Sequence, residues 1–194
     1  YDETLEKFQI AEANSQQSEA IGYDGHRLVV TGCPRTGKTS VALTRALRIY
    51  NRRRRHVYYV TPSRSWARTV NFTGRKVPGL LTTIKAVTYR DLPPILRDHH
   101  THLPGPKPLA LVYDDAPINI IAQHIDLWPD DVNVTVIGSR ASGILMPNPD
   151  PRYTTPTRNS EQHWHHLKLD PPFTPLASRV YLPPLHSTVY VQAL

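Results

Sequence analysis

Cysteine is nearly absent from this chain of 194 residues, where Cys33 is the only one. A lone thiol excludes an intrachain disulfide and the disulfide-stapled secreted scaffolds, and it points to a reducing intracellular compartment, nucleus or cytoplasm. Long hydrophobic runs are missing too. No stretch of about 18 apolar residues occurs, so no membrane span is expected, and no apolar leader of a secretory signal opens the chain. The first residue is Tyr1 rather than Met, so a fragment of a longer protein is expected. Acidic residues are in short supply, 16 against 23 Lys and Arg, for a net charge of +7. Such an excess favours polyanionic partners such as nucleic acid, although solubility alone accounts for a charge of this size. The length allows one sizeable core and excludes two full α/β domains.

One stretch organises the rest. Gly32-Cys33-Pro34-Arg35-Thr36-Gly37-Lys38-Thr39 fits the phosphate-loop pattern G-x-x-x-x-G-K-[ST] at every fixed position. Leu28-Val29-Val30 leads into it with strand character, and Ser40 to Leu47 leaves it with helical composition. In that context Gly32 and Gly37 let the backbone curl so that N–H groups face a polyphosphate, with the positive end of the next helix behind them. Lys38 then neutralises phosphate and Thr39 ligates Mg²⁺, while Cys33, Pro34, Arg35 and Thr36 complete the cradle. An ordinary glycine-containing strand-to-helix turn is the plainer reading of the same residues.

Upstream, residues 1 to 20 read as a polar helical segment that ends in Asn14-Ser15-Gln16-Gln17-Ser18-Glu19-Ala20. An amide such as Gln17 suits the donor and acceptor edge of adenine, and equally a solvated helix face. Downstream, His56 to Thr61, Thr83 to Tyr89, Leu109 to Tyr113 and Val132 to Gly138 read as strands. Helical segments start near Ser63 and at Ile118, and His99 to Pro108 reads as loop. The strand of Leu109 to Tyr113 ends in Asp114-Asp115, and a carboxylate at the end of an apolar strand is where a Mg²⁺ of a phosphate-loop site is held. The basic run Arg52-Arg53-Arg54-Arg55 fits a solvated helix end, a phosphate contact or a nuclear-import signal. Alternating strands and helices predict an α/β fold with a parallel sheet covered on both faces and the site at the strands' C-terminal ends.

Beyond Met146 the composition changes, with nine of the chain's 19 prolines in the last 50 residues. Residues 146–194 are therefore expected to stand apart from the αβ pattern as an irregular extension, with Ser178 to Leu182 and Thr188 to Val191 as a short hairpin. His163, His165 and His166, with His99, His100 and His102, suggest a metal site only weakly, for they lack cysteine partners and helical i, i+4 spacing.

Residues 14 to 145, taken in order, resemble the first RecA-like core domain of superfamily 1 helicases of the UvrD/Rep type. Asn14 to Ala20 resembles the family's adenine-reading Q motif, which gives Gln17 the role of its glutamine. The loop resembles motif I. Thr61-Pro62-Ser63-Arg64-Ser65-Trp66-Ala67 resembles motif Ia and Thr88-Tyr89-Arg90-Asp91-Leu92 its neighbouring element, which implies single-stranded nucleic-acid contacts for Arg64, Trp66 and Arg90. A tryptophan early in such a helix also suits a core position. Val112 to Pro117 resembles motif II, so Asp114 is expected on Mg²⁺ and Asp115 as the catalytic base. The resemblance thus implies a phosphate-loop NTPase that binds ATP and Mg²⁺, works beside a second RecA-like domain or another protein partner, and contacts single-stranded DNA or RNA. The chemistry-bearing positions depart from the family. Asp115 is one methylene shorter than the usual glutamate, and Pro117, Ser139 and Ser142 stand where γ-phosphate-sensing groups are usual. Weak or no hydrolysis by this chain alone follows, with an inactive helicase-like scaffold or protein-interaction module as the alternative.

Overall fold

The computed structural model describes residues 13–53, 55–75, 84–101, 108–145 and 164–171. Six strands build the sheet: β1 (Arg27–Gly32), β2 (His56–Thr61), β3 (Ile84–Thr88), β4 (Leu109–Asp114), β5 (Asn133–Ile137) and β6 (His165–Leu169). Their order is β3-β2-β4-β5-β1-β6, and every pairing is parallel. The helices are α1 (Ser15–Gly22), α2 (Lys38–Arg53), α3 (Arg64–Arg75), α4 (Leu92–Thr101) and α5 (Ile118–His124), with 3₁₀ turns at Ile125–Leu127 and Ala141–Leu145.

The chain runs outward from β1 to β2 and β3 through α2 and α3, then returns to β4 and β5 through α4 and α5. Because parallel crossovers are right-handed, reversing direction across the sheet moves the helices to the other face. Two apolar clusters follow. One joins α2 and α3 to Leu28, Val30 and Val112, and the other joins α4 and α5 to Val29, Leu111 and Val136. Alternation along β4 sends Ala110 and Val112 to the α2 face and Leu109, Leu111 and Tyr113 to the α4 face. A period of two therefore puts Asp114 on the α2 side.

The parallel sheet covered on both faces is as the sequence predicts, and the strands fall where expected to within two residues. Three differences appear. Residues 99–101 complete α4 instead of entering a loop; Pro93 and Pro94 do not break that helix because they occupy its first turn, where no N–H is needed. The second is β6, inside the stretch expected to stand apart: it pairs with β1 from Leu28↔His165 to Gly32↔Leu169. Its inward residues, Leu167 and Leu169, join the α2-face cluster, while His166 and Lys168 face outward. The sheet therefore continues past the expected break at 145. The third is the helix expected over residues 1 to 20, whose described part runs from Ser15 to Gly22. The expected hairpin at 178–191 lies outside the described residues. No helix among the described residues is long and apolar enough to cross a membrane.

Arg45 ties these layers together although it is only 1 % exposed. Its Nη1 donates to the carbonyls of Ala20 at 2.9 Å and Tyr23 at 2.8 Å, and its Nε to Thr135 Oγ1 at 2.7 Å. The carbonyls at the end of α1 have no partner within the helix, so a guanidinium delivered from α2 serves as its C-terminal cap. At the start of β1, Arg27 lies beside the neighbouring rings of Trp128 and Trp164, at 5.7 and 6.0 Å, and burial lowers its pKa to about 10, still charged at neutral pH.

Candidate functional site

The C-terminal ends of β1 and β4 face each other across the single strand β5, two strand spacings or about 9–10 Å apart. From β1 the chain enters the glycine loop, and from β4 it reaches Asp114 and Asp115. The connection after β1 leaves on one face and those after β4 and β5 on the other, so a crevice opens between them, the usual ligand position in such sheets.

Each glycine of the loop has a steric reason. A Cβ on Gly32 would lie 2.7 Å from Thr36 Oγ1 and 3.1 Å from the Leu169 carbonyl of β6. Gly37 has φ +78 and a Cβ there would meet Gln17 Nε2 at 2.9 Å. Arg35 is also left-handed, at φ 67, and exposed. Thr36 is buried and its hydroxyl donates to the Cys33 carbonyl at 2.9 Å. Lys38 Nζ donates to that same carbonyl at 2.7 Å, which lays the ammonium back along the loop. Burial lowers the Lys38 pKa, while Asp115, Asp114 and Cys33 oppose that shift. Cys33 and Pro34 are exposed at the loop's crest.

Asp114 is 5 % exposed. Burial raises its pKa to about 6, helped by Asp115, while hydrogen bonds from Tyr59 and Thr39 and the charge of Lys38 pull the other way. Thr39 and Asp114 thus meet through their side chains, a hydroxyl and a carboxylate, both hard oxygen donors of the kind Mg²⁺ takes. Their chemistry fits that ion. Asp115 is exposed with φ 55, a left-handed backbone that aspartate tolerates better than most residues, and its N–H donates to the Ile137 carbonyl at 2.8 Å. It sits beside Asp114, and its charge is the one that most strongly favours protonated Lys38.

Gln17 is placed against the loop. Its N–H and side chain form a reciprocal capping box with Asn14, and its Nε2 donates to the Thr36 carbonyl at 3.0 Å. Both ends of the amide are therefore engaged with protein, which neither reading of the sequence foresaw. Its neighbour Gln16 exchanges two hydrogen bonds of 2.8 Å with Asp170, just after β6. These bonds tie the start of α1 to the end of β6, while Arg45 ties its other end to α2 and β5.

Arg64 and Arg90 are exposed at the ends of β2 and β3, which pair at Thr61↔Thr88, so they share the loop's edge of the sheet. Trp66 is different. It packs against the α2-face cluster and its Nε1 donates to Tyr59 Oη at 2.9 Å, so the core reading is the one the structure has. Of the histidines, His165 stacks on Tyr23 at 4.5 Å and His166 meets Thr31 Oγ1 at 2.9 Å; His102 and His163 lie outside the described residues. The sequence reading missed Tyr59, Arg45 and β6. Alternation of Leu167 and Leu169 with His166 and Lys168 was the available signal for β6.

Comparison of the chain with protein-family models, with curated proteins and with solved structures gave no match.

Proposed function

We propose that this chain binds a nucleoside triphosphate, ATP with Mg²⁺, in the crevice between the glycine loop and Asp114. The observation that carries the reading is the meeting of Thr39, at the start of α2, with Asp114, at the end of β4, directly beside a loop held open by Gly32 and Gly37. Loop N–H groups and the first turn of α2 offer donors to phosphate oxygens. Lys38 exchanges the Cys33 carbonyl for phosphate, which replaces a neutral acceptor by a charged one. Thr39 and Asp114 would hold Mg²⁺, which supplies charge neutralisation of the phosphates.

Hydrolysis by this chain is weak in this reading, and Asp115 is the candidate base. Its carboxylate is one methylene shorter than glutamate and springs from an exposed left-handed residue. A misplacement of about 1 Å costs on the order of 10²-fold in rate. The helicase resemblance extends the proposal to single-stranded DNA or RNA at Arg64 and Arg90, with Trp66 withdrawn from that surface. The same position of Asp115 favours the second reading, a nucleotide-binding scaffold without turnover. Turnover of labelled ATP with and without single-stranded DNA or RNA separates the two. Stimulated hydrolysis supports the motor domain, binding without hydrolysis supports the scaffold, and absence of ATP binding overturns both.

A further inference from the structure

Register on the α2 face brings an aromatic pair, Tyr59 and Trp66, to the site. Tyr59 pairs with Val112, two residues before Asp114 on the neighbouring strand. That diagonal, about 7–8 Å, is within the reach of a tyrosine side chain. Tyr59 is 0 % exposed, and its hydroxyl donates to Asp114 Oδ2. The direction of that proton is fixed from behind. Trp66 Nε1 can only donate, and it donates to Tyr59 Oη at 2.9 Å, so the hydroxyl's own hydrogen is left for the carboxylate. Trp66 itself is set by α3, whose first turn is closed by its N–H bond to Ser63 Oγ at 3.2 Å.

We propose that Tyr59 is a positioning residue for Asp114, oriented by Trp66, which holds one carboxylate oxygen so that the other faces Thr39 and the metal. The proposal rests on the nucleotide and Mg²⁺ reading above and adds to it the residues that aim the metal ligand. When the metal binds, the Thr39 hydroxyl would ligate it through a lone pair while its hydrogen stays on Asp114. The Tyr59 bond then holds the carboxylate from the buried side, and with Thr39 it fixes the carboxylate's rotation. Because the same hydroxyl receives Trp66, metal occupancy at Asp114 is felt at the start of α3, next to Arg64.

The test uses the full chain and its Tyr59→Phe and Trp66→Phe variants. ATP affinity is measured by calorimetry with and without Mg²⁺, and the emission of Trp66 is isolated as the difference between wild type and Trp66→Phe. In wild type Mg²⁺ tightens ATP binding and shifts the Trp66 emission. Tyr59→Phe is expected to cut the Mg²⁺ enhancement about tenfold, and Trp66→Phe about threefold, leaving metal-free affinity unchanged. Unaltered enhancement in Tyr59→Phe, or an equal loss with and without Mg²⁺, overturns the positioning role alone. If Tyr59→Phe does not fold, unaltered enhancement in Trp66→Phe does the same. A wild type that binds no ATP overturns the nucleotide reading and this inference with it.

Discussion

Arg45→Met is the most demanding perturbation of the scaffold that presents the loop. Methionine keeps most of the buried stem and removes three short hydrogen bonds, to Ala20 O at 2.9 Å, Tyr23 O at 2.8 Å and Thr135 Oγ1 at 2.7 Å. Bonds from a charged donor contribute about 1.5–3 kcal/mol each. Against this stands the desolvation of the guanidinium, several kcal/mol, which the variant no longer bears. The net loss is therefore about 2–4 kcal/mol. With a urea slope of about 2 kcal/mol per M, the midpoint should fall by roughly 1–2 M at unchanged slope. Arg45→Lys should fall between, since a point donor cannot serve the helix end and Thr135 together. Because Arg45 caps α1, nucleotide affinity should drop as well. A midpoint shift under about 0.3 M for Arg45→Met would refute the reasoning.

Gly37→Ala puts a methyl group at φ +78 and 2.9 Å from Gln17 Nε2. It should cost about 1–2 kcal/mol and weaken ATP binding, whereas unchanged melting and affinity would deny the loop its geometry. The pH dependence of stability separates two buried groups. His124, lowered to about 4 by burial against the opposing bond to the Tyr89 backbone, contributes stability that is complete above 6.5 and lost as pH falls toward 4. Asp114, raised from 3.8 to about 6, contributes with the opposite sign: its part is complete below 3.8 and lost as pH rises through 6. In wild type the two oppose each other. Acidification from pH 6 to 4 should therefore destabilise Asp114→Asn by up to about 1.4 kcal/mol per unit and stabilise His124→Gln. Equal slopes in the two variants would contradict these assignments.

The parallel sheet was legible because each strand is a short apolar run bounded by turn residues, and the loop because its glycines and Lys38 stand at fixed spacing. Asp114 was legible as the acid after Leu109 to Tyr113. Side-chain partners were not, for they depend on register. Nothing local in the sequence says that Tyr59 lies diagonal to Asp114, or that Arg45 reaches the end of α1 some 25 residues upstream. Gln17 was placed at the site by resemblance, yet its engagement with Asn14 and Thr36 is a tertiary fact. Proline density concealed β6, since Pro171 lies just past the strand's end at Leu169 and carries no sign of its presence.

Neutral Trp128, Tyr113 and His124 illustrate the same limit. Trp128 Nε1 donates to Tyr113 Oη at 3.2 Å, and that hydroxyl meets His124 Nδ1 at 3.0 Å. With a further hydrogen bond to the Tyr89 backbone, the histidine is a satisfied core residue.

The central claim is tested most directly by calorimetric titration of the chain and of Lys38→Ala with ATP, each with and without Mg²⁺. The account expects wild type to bind and Mg²⁺ to tighten binding. In Lys38→Ala affinity should fall by about tenfold or more, through loss of a charge-assisted contact, at unchanged melting temperature. Equal affinity in the two proteins, or no binding by wild type, would contradict it.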